Sequence, residues 1–146
     1  LYWESWTTYR TLSLPQSINS LQNLHTLYLR CYRLGDILIL ESQQALEILD
    51  LHGSSLKELP NGIESLNKLK LLDLFHCLIK KDNAYEVIGR CLQLNELCLY
   101  IHSYEYQEIP HNVCFSRLES NVLIYKMESW GVPTYMLEKH RPTRAL

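Results

Sequence analysis

Four segments of this 146-residue chain repeat one leucine pattern, and that pattern leaves few folds open. In register they read Leu21-x-x-Leu24-x-x-Leu27-x-Leu29, Leu46-x-x-Leu49-x-Leu51, Leu66-x-x-Leu69-x-x-Leu72-x-Leu74 and Cys91-x-x-Leu94-x-x-Leu97-x-Leu99. The Leu-x-Leu pairs start at 27, 49, 72 and 97, so they recur after 22, 23 and 25 residues. Strand side chains alternate between the two faces of a sheet, so both leucines of a pair point the same way. Each segment therefore predicts one short strand with its pair facing inward. The rest of each step must carry the chain back to begin a parallel neighbour. A single unit cannot bury its own apolar face, whereas stacked units can.

The pattern extends beyond the pairs. Three residues after the second Leu stand Tyr32, Ser54, Cys77 and His102, and two further on stand Leu34, Leu56, Ile79 and Tyr104. A second signature recurs as Leu14-Pro15-x-x-Ile18, Leu59-Pro60-x-x-Ile63 and Ile109-Pro110-x-x-Val113. Proline fixes φ and lacks an N–H, so it belongs on the return leg and not inside a ladder. Leucine supplies 29 of the 146 residues, the surplus such a stack requires. A period of about 20–29 residues with this spacing is that of leucine-rich repeats. The expected fold is an α/β leucine-rich-repeat solenoid. It is a curved horseshoe with short parallel strands on the concave face and irregular or short helical returns on the convex face.

We expect one domain over residues 1–146, with regular repeats over about 12–118 and an irregular C-terminal segment over about 126–146. Leu1 to Thr11 is rich in Trp and Tyr and shows no clear repeat, and Leu12-x-Leu14 reads as the remnant of an earlier one. Leu118-x-x-Asn121-x-Leu123 keeps the spacing with Asn121 in a leucine position, and Val122 to Tyr125 is expected to be a strand whose register the spacing leaves open. The chain starts at Leu1 and reads as a piece of something longer.

Several function classes are disfavoured. No apolar run approaches the about 20 residues that cross a bilayer, so no membrane span is expected. The formal charge of −2 and the internal basic pair Lys80-Lys81 give no row of cations to neutralise phosphates, which argues against nucleic acid as a partner. Cys31, Cys77, Cys91, Cys98 and Cys114 are odd in number and form no C-x-x-C pair, as free thiols in a reducing cytoplasm would. The five glycines are too scattered for a phosphate-binding loop. His52, His76 and His102 fall one, two and three residues after successive strand pairs, so their rows drift and should not converge on a metal. Cys77 follows His76, but its inward position suits a small buried side chain capping the turn better than a nucleophile. No catalytic residue, cofactor or metal site is assigned, and an enzyme is not expected.

The runs Leu24-His25-Thr26-Leu27-Tyr28-Leu29-Arg30-Cys31, Leu46-Glu47-Ile48-Leu49-Asp50-Leu51, Lys57-Glu58-Leu59-Pro60-Asn61-Gly62-Ile63, Leu71-Leu72-Asp73-Leu74-Phe75-His76-Cys77 and Ala84-Tyr85-Glu86-Val87-Ile88-Gly89-Arg90-Cys91-Leu92 carry a family likeness. The chain resembles the leucine-rich repeats of plant nucleotide-binding disease-resistance proteins of the coiled-coil class. The resemblance implies a cytoplasmic protein-recognition and regulatory module of an immune receptor. Such a module senses a pathogen effector, directly or through a guarded host protein, and restrains the nucleotide-binding domain of the same parent chain. No repeat shows the Asn-x-Leu-x-Gly of the extracellular plant class. The alternative is another intracellular adaptor, such as an F-box ubiquitin-ligase substrate receptor. Those proteins share the Cys91-x-x-Leu94 opening, but their tails usually lack Leu-Pro-x-x-Ile.

The candidate binding residues are the outward positions on and just after the strands: Tyr28, Arg30, Arg33, Asp50, His52, Asp73, Phe75, His76, Tyr100 and Ile101. Parallel strands lie about 4.8 Å apart, so four of them make a stripe about 15 Å across. It mixes the aromatic and Arg side chains that dominate protein-binding hot spots. Leu51, Leu74 and Leu99 are expected in one buried column, with Asp50, Asp73 and Cys98 exposed. Without a phosphate loop the purified chain should bind no ATP; calorimetry showing micromolar affinity would overturn that reading.

Overall fold

The computed structural model describes residues 1–5, 11–79, 84–101, 122–127 and 133–136. The described strands are β1 (Tyr2–Ser5), β2 (Thr26–Cys31), β3 (Ile48–Asp50), β4 (Ser55–Leu56), β5 (Leu71–Leu74), β6 (Leu78–Ile79), β7 (Glu96–Ile101), β8 (Val122–Met127) and β9 (Pro133–Met136). Seven of them form one sheet in the order β1-β2-β3-β5-β7-β8-β9. All its pairings are parallel except the last, β8 with β9. Leu27, Leu49, Leu72 and Leu97 are matched across neighbouring strands, as the sequence register requires. Leu51, Leu74 and Leu99 are buried as expected, and Leu24, Leu46, Leu69 and Leu94 form another buried row. This stack of strands and returns is a leucine-rich-repeat solenoid.

The returns follow from proline and its substitutes. Pro15 and Pro60 sit just before short 3-10 helices at Gln16–Ser20 and Asn61–Ser65, with φ of −72° and −62°. The repeat between them has no proline. There Ile37 precedes the 3-10 helix Leu38–Ser42, and Asp36 Oδ1 accepts the Leu38 N–H at 2.7 Å. Ile18, Leu40, Ile63 and Ile88 enter the core from the four returns. The return before β7 is a true α-helix, α1 (Ala84–Arg90), in the step that is two residues longer than the one before it (25 against 23).

Strand exits are stitched from one repeat to the next. Buried Ser54 donates its hydroxyl to the Leu29 carbonyl at 2.7 Å and accepts the Cys31 N–H at 3.0 Å. Cys77, the matching residue one repeat later, donates its thiol to the Leu51 carbonyl at 2.7 Å. The turns between need left-handed backbone at the second residue past the inward Leu. Gly53 supplies it with φ 69°, and His76 adopts it with φ 55°, a conformation costly for most side chains but visited by His.

The ends depart from expectation. Residues 2–5 form a strand in the segment where no repeat was legible, with Trp3 opposite Leu29. Trp3 replaces the expected Leu and packs partly against the core. Leu12 bridges Leu34, so it is indeed part of an earlier repeat. Leu21 is 42 % exposed although its equivalent Leu66 is fully buried, and the second repeat fills that place with Gln43. Gln43 is buried because its amide donates to the Ile18 carbonyl at 2.9 Å. In β8 the structure settles the open register by setting Val122 and Ile124 opposite Leu97 and Leu99, one residue along from Asn121 and Leu123 of the repeat spacing. Residues 133–136 of the segment expected to be irregular form β9. Most of the final expected repeat, including His102, Tyr104 and the Ile109-Pro110 signature, lies outside the described residues. Leu74→Ala leaves a cavity in the continuous column and should lower stability by about 2–5 kcal/mol in denaturant melts.

Candidate protein-binding surface

Alternation turns residues between the inward leucines toward the other face of the sheet. There Tyr28, Asp50, Asp73 and Cys98 stand in one row across β2, β3, β5 and β7. Tyr28 is half-buried and its ring lies 6.1 Å from that of Tyr2. Arg30 is also half-buried, and its Nη2 donates to Asp50 Oδ2 at 2.7 Å. Asp50 was expected to be exposed but is only 4 % accessible. Its Oδ2 accepts from Arg30 and its Oδ1 accepts the His52 N–H at 2.8 Å. Asp50 therefore closes the turn after β3, and the guanidinium compensates its burial. Asp73 repeats the turn with Oδ1 accepting the Phe75 N–H at 2.8 Å. It and Cys98 are half-buried, not exposed.

The aromatic part of the surface gathers at the strand exits. His52 and Phe75 rings lie 5.2 Å apart, Phe75 and His76 4.3 Å, and His52 and His76 5.9 Å. The drift of the His rows therefore does not keep His52 from His76; they meet around Phe75 as a ring cluster. Among the described residues no group of three or more His, Cys, Asp or Glu is placed to hold a metal ion. Arg33 and His76 are exposed and belong to the strand-exit edge, where both line a groove with residues 53–55. The backbone of Tyr100 and Ile101 continues the sheet opposite Tyr125 and Lys126; their side chains lie outside what the structure describes.

Sequence reasoning missed a second row. His25, Glu47 and Lys70 each follow a buried Leu just before a strand, and Glu47 joins the other two at 3.3 Å and 2.6 Å. Lys70, then His25, hold its carboxyl below the usual range. The repeat register carried this signal, because residues one past Leu24, Leu46 and Leu69 must stack. Such exposed pairs add little stability.

The described thiols are pushed toward their protonated form. Burial pushes Cys77 up to about 12 and both Cys91 and Cys98 up to about 11. A reactive cysteine needs the opposite shift. Cys77 instead keeps its proton on the Leu51 carbonyl, the structural role its inward position predicts.

No protein-family model matches the chain. It is 37 % identical over 90 residues to the Disease resistance protein At4g27190 of Arabidopsis thaliana, a match covering 60 % of this chain. The chain is a leucine-rich-repeat solenoid similar in sequence to a plant disease resistance protein. It spans 9 % of that relative's length. Among solved structures it is similar to the LRR ectodomain of the receptor kinase SOBIR1 from Arabidopsis thaliana. That likeness has a TM-score of 0.48 and 22 % identity, and covers 60 % of this chain and 48 % of that one. No helix among the described residues is long and apolar enough to cross a membrane.

Partial burial raises the Asp73 pKa above its ordinary 3.8; the Phe75 N–H offsets this in part and neighbouring Asp50 adds to it. A raised folded pKa means that protonation favours the fold. That contribution is present below the unfolded value and is lost as pH rises through the folded one. Asp73→Asn keeps an acceptor for Phe75 and removes the charge. It should raise the melting temperature at pH 7, with the gain shrinking as the buffer is taken down toward pH 4.

Proposed function

We propose that this leucine-rich-repeat domain is the protein-recognition and regulatory module of a cytoplasmic plant immune receptor. It senses a pathogen effector directly or through a guarded host protein, and contacts the nucleotide-binding domain of its own parent chain. It does no chemistry itself. The observation that carries the recognition surface is the His52–Phe75–His76 ring cluster in the turns at the exits of β3 and β5, beside the Arg30–Asp50 pair. Aromatic and Arg groups on a pre-ordered face bind with little loss of side-chain freedom. The likeness to a plant disease resistance protein supports the immune role and favours it over the ubiquitin-ligase alternative.

The stripe proposed to meet the partner comprises Tyr28, Arg30, His52, Asp73, Phe75, Tyr100 and Ile101, with Arg33 and His76 at its strand-exit margin. Asp50 takes part by fixing Arg30 and the turn. Phe75→Ala and Tyr100→Ala, each placed in the full-length receptor, should weaken partner binding by more than about 1 kcal/mol. Effector-triggered signalling in leaf cells should fall while protein level is kept. Unchanged signalling from both, with loss on Glu58→Ala or Lys68→Ala on the return legs, would move the partner to the opposite surface.

A further inference from the structure

The strand-exit edge holds a groove that three successive repeats create together. At the second, third and fourth positions after the inward Leu, the first repeat carries Cys31, Tyr32 and Arg33. The next carries Gly53, Ser54 and Ser55, and the third carries His76, Cys77 and Leu78. The middle repeat is small throughout, against His76 at the second position, Tyr32 at the third, and Arg33 and Leu78 on both sides at the fourth. The result is an open groove of about 520 Å³ floored by residues 53–55 and walled by Tyr32 and Arg33 against His76 and Leu78. Ser54 is fixed below by its bonds to Leu29 and Cys31, so the floor is stiff.

We infer that this groove is a second docking site, beside the outward sheet face and sharing Arg33 and His76 with its margin, for an extended peptide segment of a partner protein that bears carboxylates beside an apolar side chain. Among the described residues its lining contains Arg33 and His76 and no acidic residue. Tyr32 and Leu78 keep 51 % and 58 % of their surface in water. Two large apolar groups facing each other across a cleft mark a contact site better than the same groups scattered. Arg presents a planar fork that matches a carboxylate, and Tyr and Arg are the residues that anchor partners. His76 is placed here in left-handed backbone where the preceding repeat uses Gly53, and the strain brings an imidazole to the wall in place of a bare turn. Two strand spacings of about 4.8 Å separate the walls, a span that about three residues of extended peptide cover.

The probe is an acetylated Ser-Asp-Leu-Asp-Ser peptide titrated into the isotope-labelled chain and followed by backbone amide shifts. Shifts should concentrate at residues 53–55 and Leu78, and a Ser-Lys-Leu-Lys-Ser peptide should produce none there. Arg33→Gln should weaken the acidic peptide about tenfold, equivalent to about 1.4 kcal/mol. Leu78→Ser should weaken it several-fold, and Tyr28→Ala on the sheet face should leave it unchanged. Unaltered melting temperatures keep these losses from being read as unfolding. Equal response to both peptides, shifts confined to the sheet face, no shifts at all, or an undiminished response in Arg33→Gln would each overturn the site.

Discussion

Each repeat has two inward leucines that it cannot cover alone, and everything else in this solenoid follows from that debt to its neighbours. Leu49 and Leu51 are hidden only because the repeats before and after present Leu27, Leu29, Leu72 and Leu74 in matching register. The column forces parallel strands, and parallel strands force a return leg of more than a dozen residues. The return must drop one more apolar group into the core, which Ile18, Leu40, Ile63 and Ile88 do in turn. Buried apolar surface drives the stack, while its hydrogen bonds keep one repeat in phase with the next.

That hierarchy explains what was legible in the residues. Spacing revealed the central strands because a two-residue period beside a 22- to 25-residue period has few other solutions. It failed at β1, where Leu1-x-Trp3 stands in place of Leu-x-Leu, because an aromatic does not register in a leucine spacing although Trp3 packs partly against the same core. It failed at Gln43 for a different reason. An amide in a leucine position reads as a break, yet the Ile18 carbonyl lies within reach and satisfies it. The one-residue slip at β8 arose because Val122-Leu123-Ile124 offers apolar residues to either face, so alternation alone cannot choose between them.

The candidate surface was legible as a set of positions but not as a set of duties. Alternation says that Asp50 points away from the core, and it does. Pointing outward is not the same as meeting water: Arg30, two residues along the neighbouring strand from Asp50's partner Tyr28, folds over it. That diagonal contact depends on rotamers, which the spacing of residues does not encode. Asp50 and Asp73 also bond to the backbone two residues on, a local habit of aspartate that ends strands in turns. Both carboxylates are therefore committed before any partner arrives.

This division of labour constrains how such a surface can change its target. Asp50, Ser54 and Cys77 hold the turns and the stitches between repeats, so replacing them alters the frame along with the face. Tyr28 and His52 carry no such bond from their side chains among those that define the strand exits, and Phe75 lends its backbone to the turns, its N–H to Asp73 and its carbonyl to the Gly53 N–H, while its ring packs against His52. New side chains at these three positions change shape and chemistry while the leucine column beneath stays intact. His76 lies between the two groups: its backbone is bound to a left-handed turn, so Gly, Asn or Asp can follow it there more readily than a bulky residue. On the proposed recognition face, substitution disturbs the fold least where rings stand on β2 and at the strand exits, and most where carboxylates close turns. The proposed specificity is thus written at positions that the leucine column does not need.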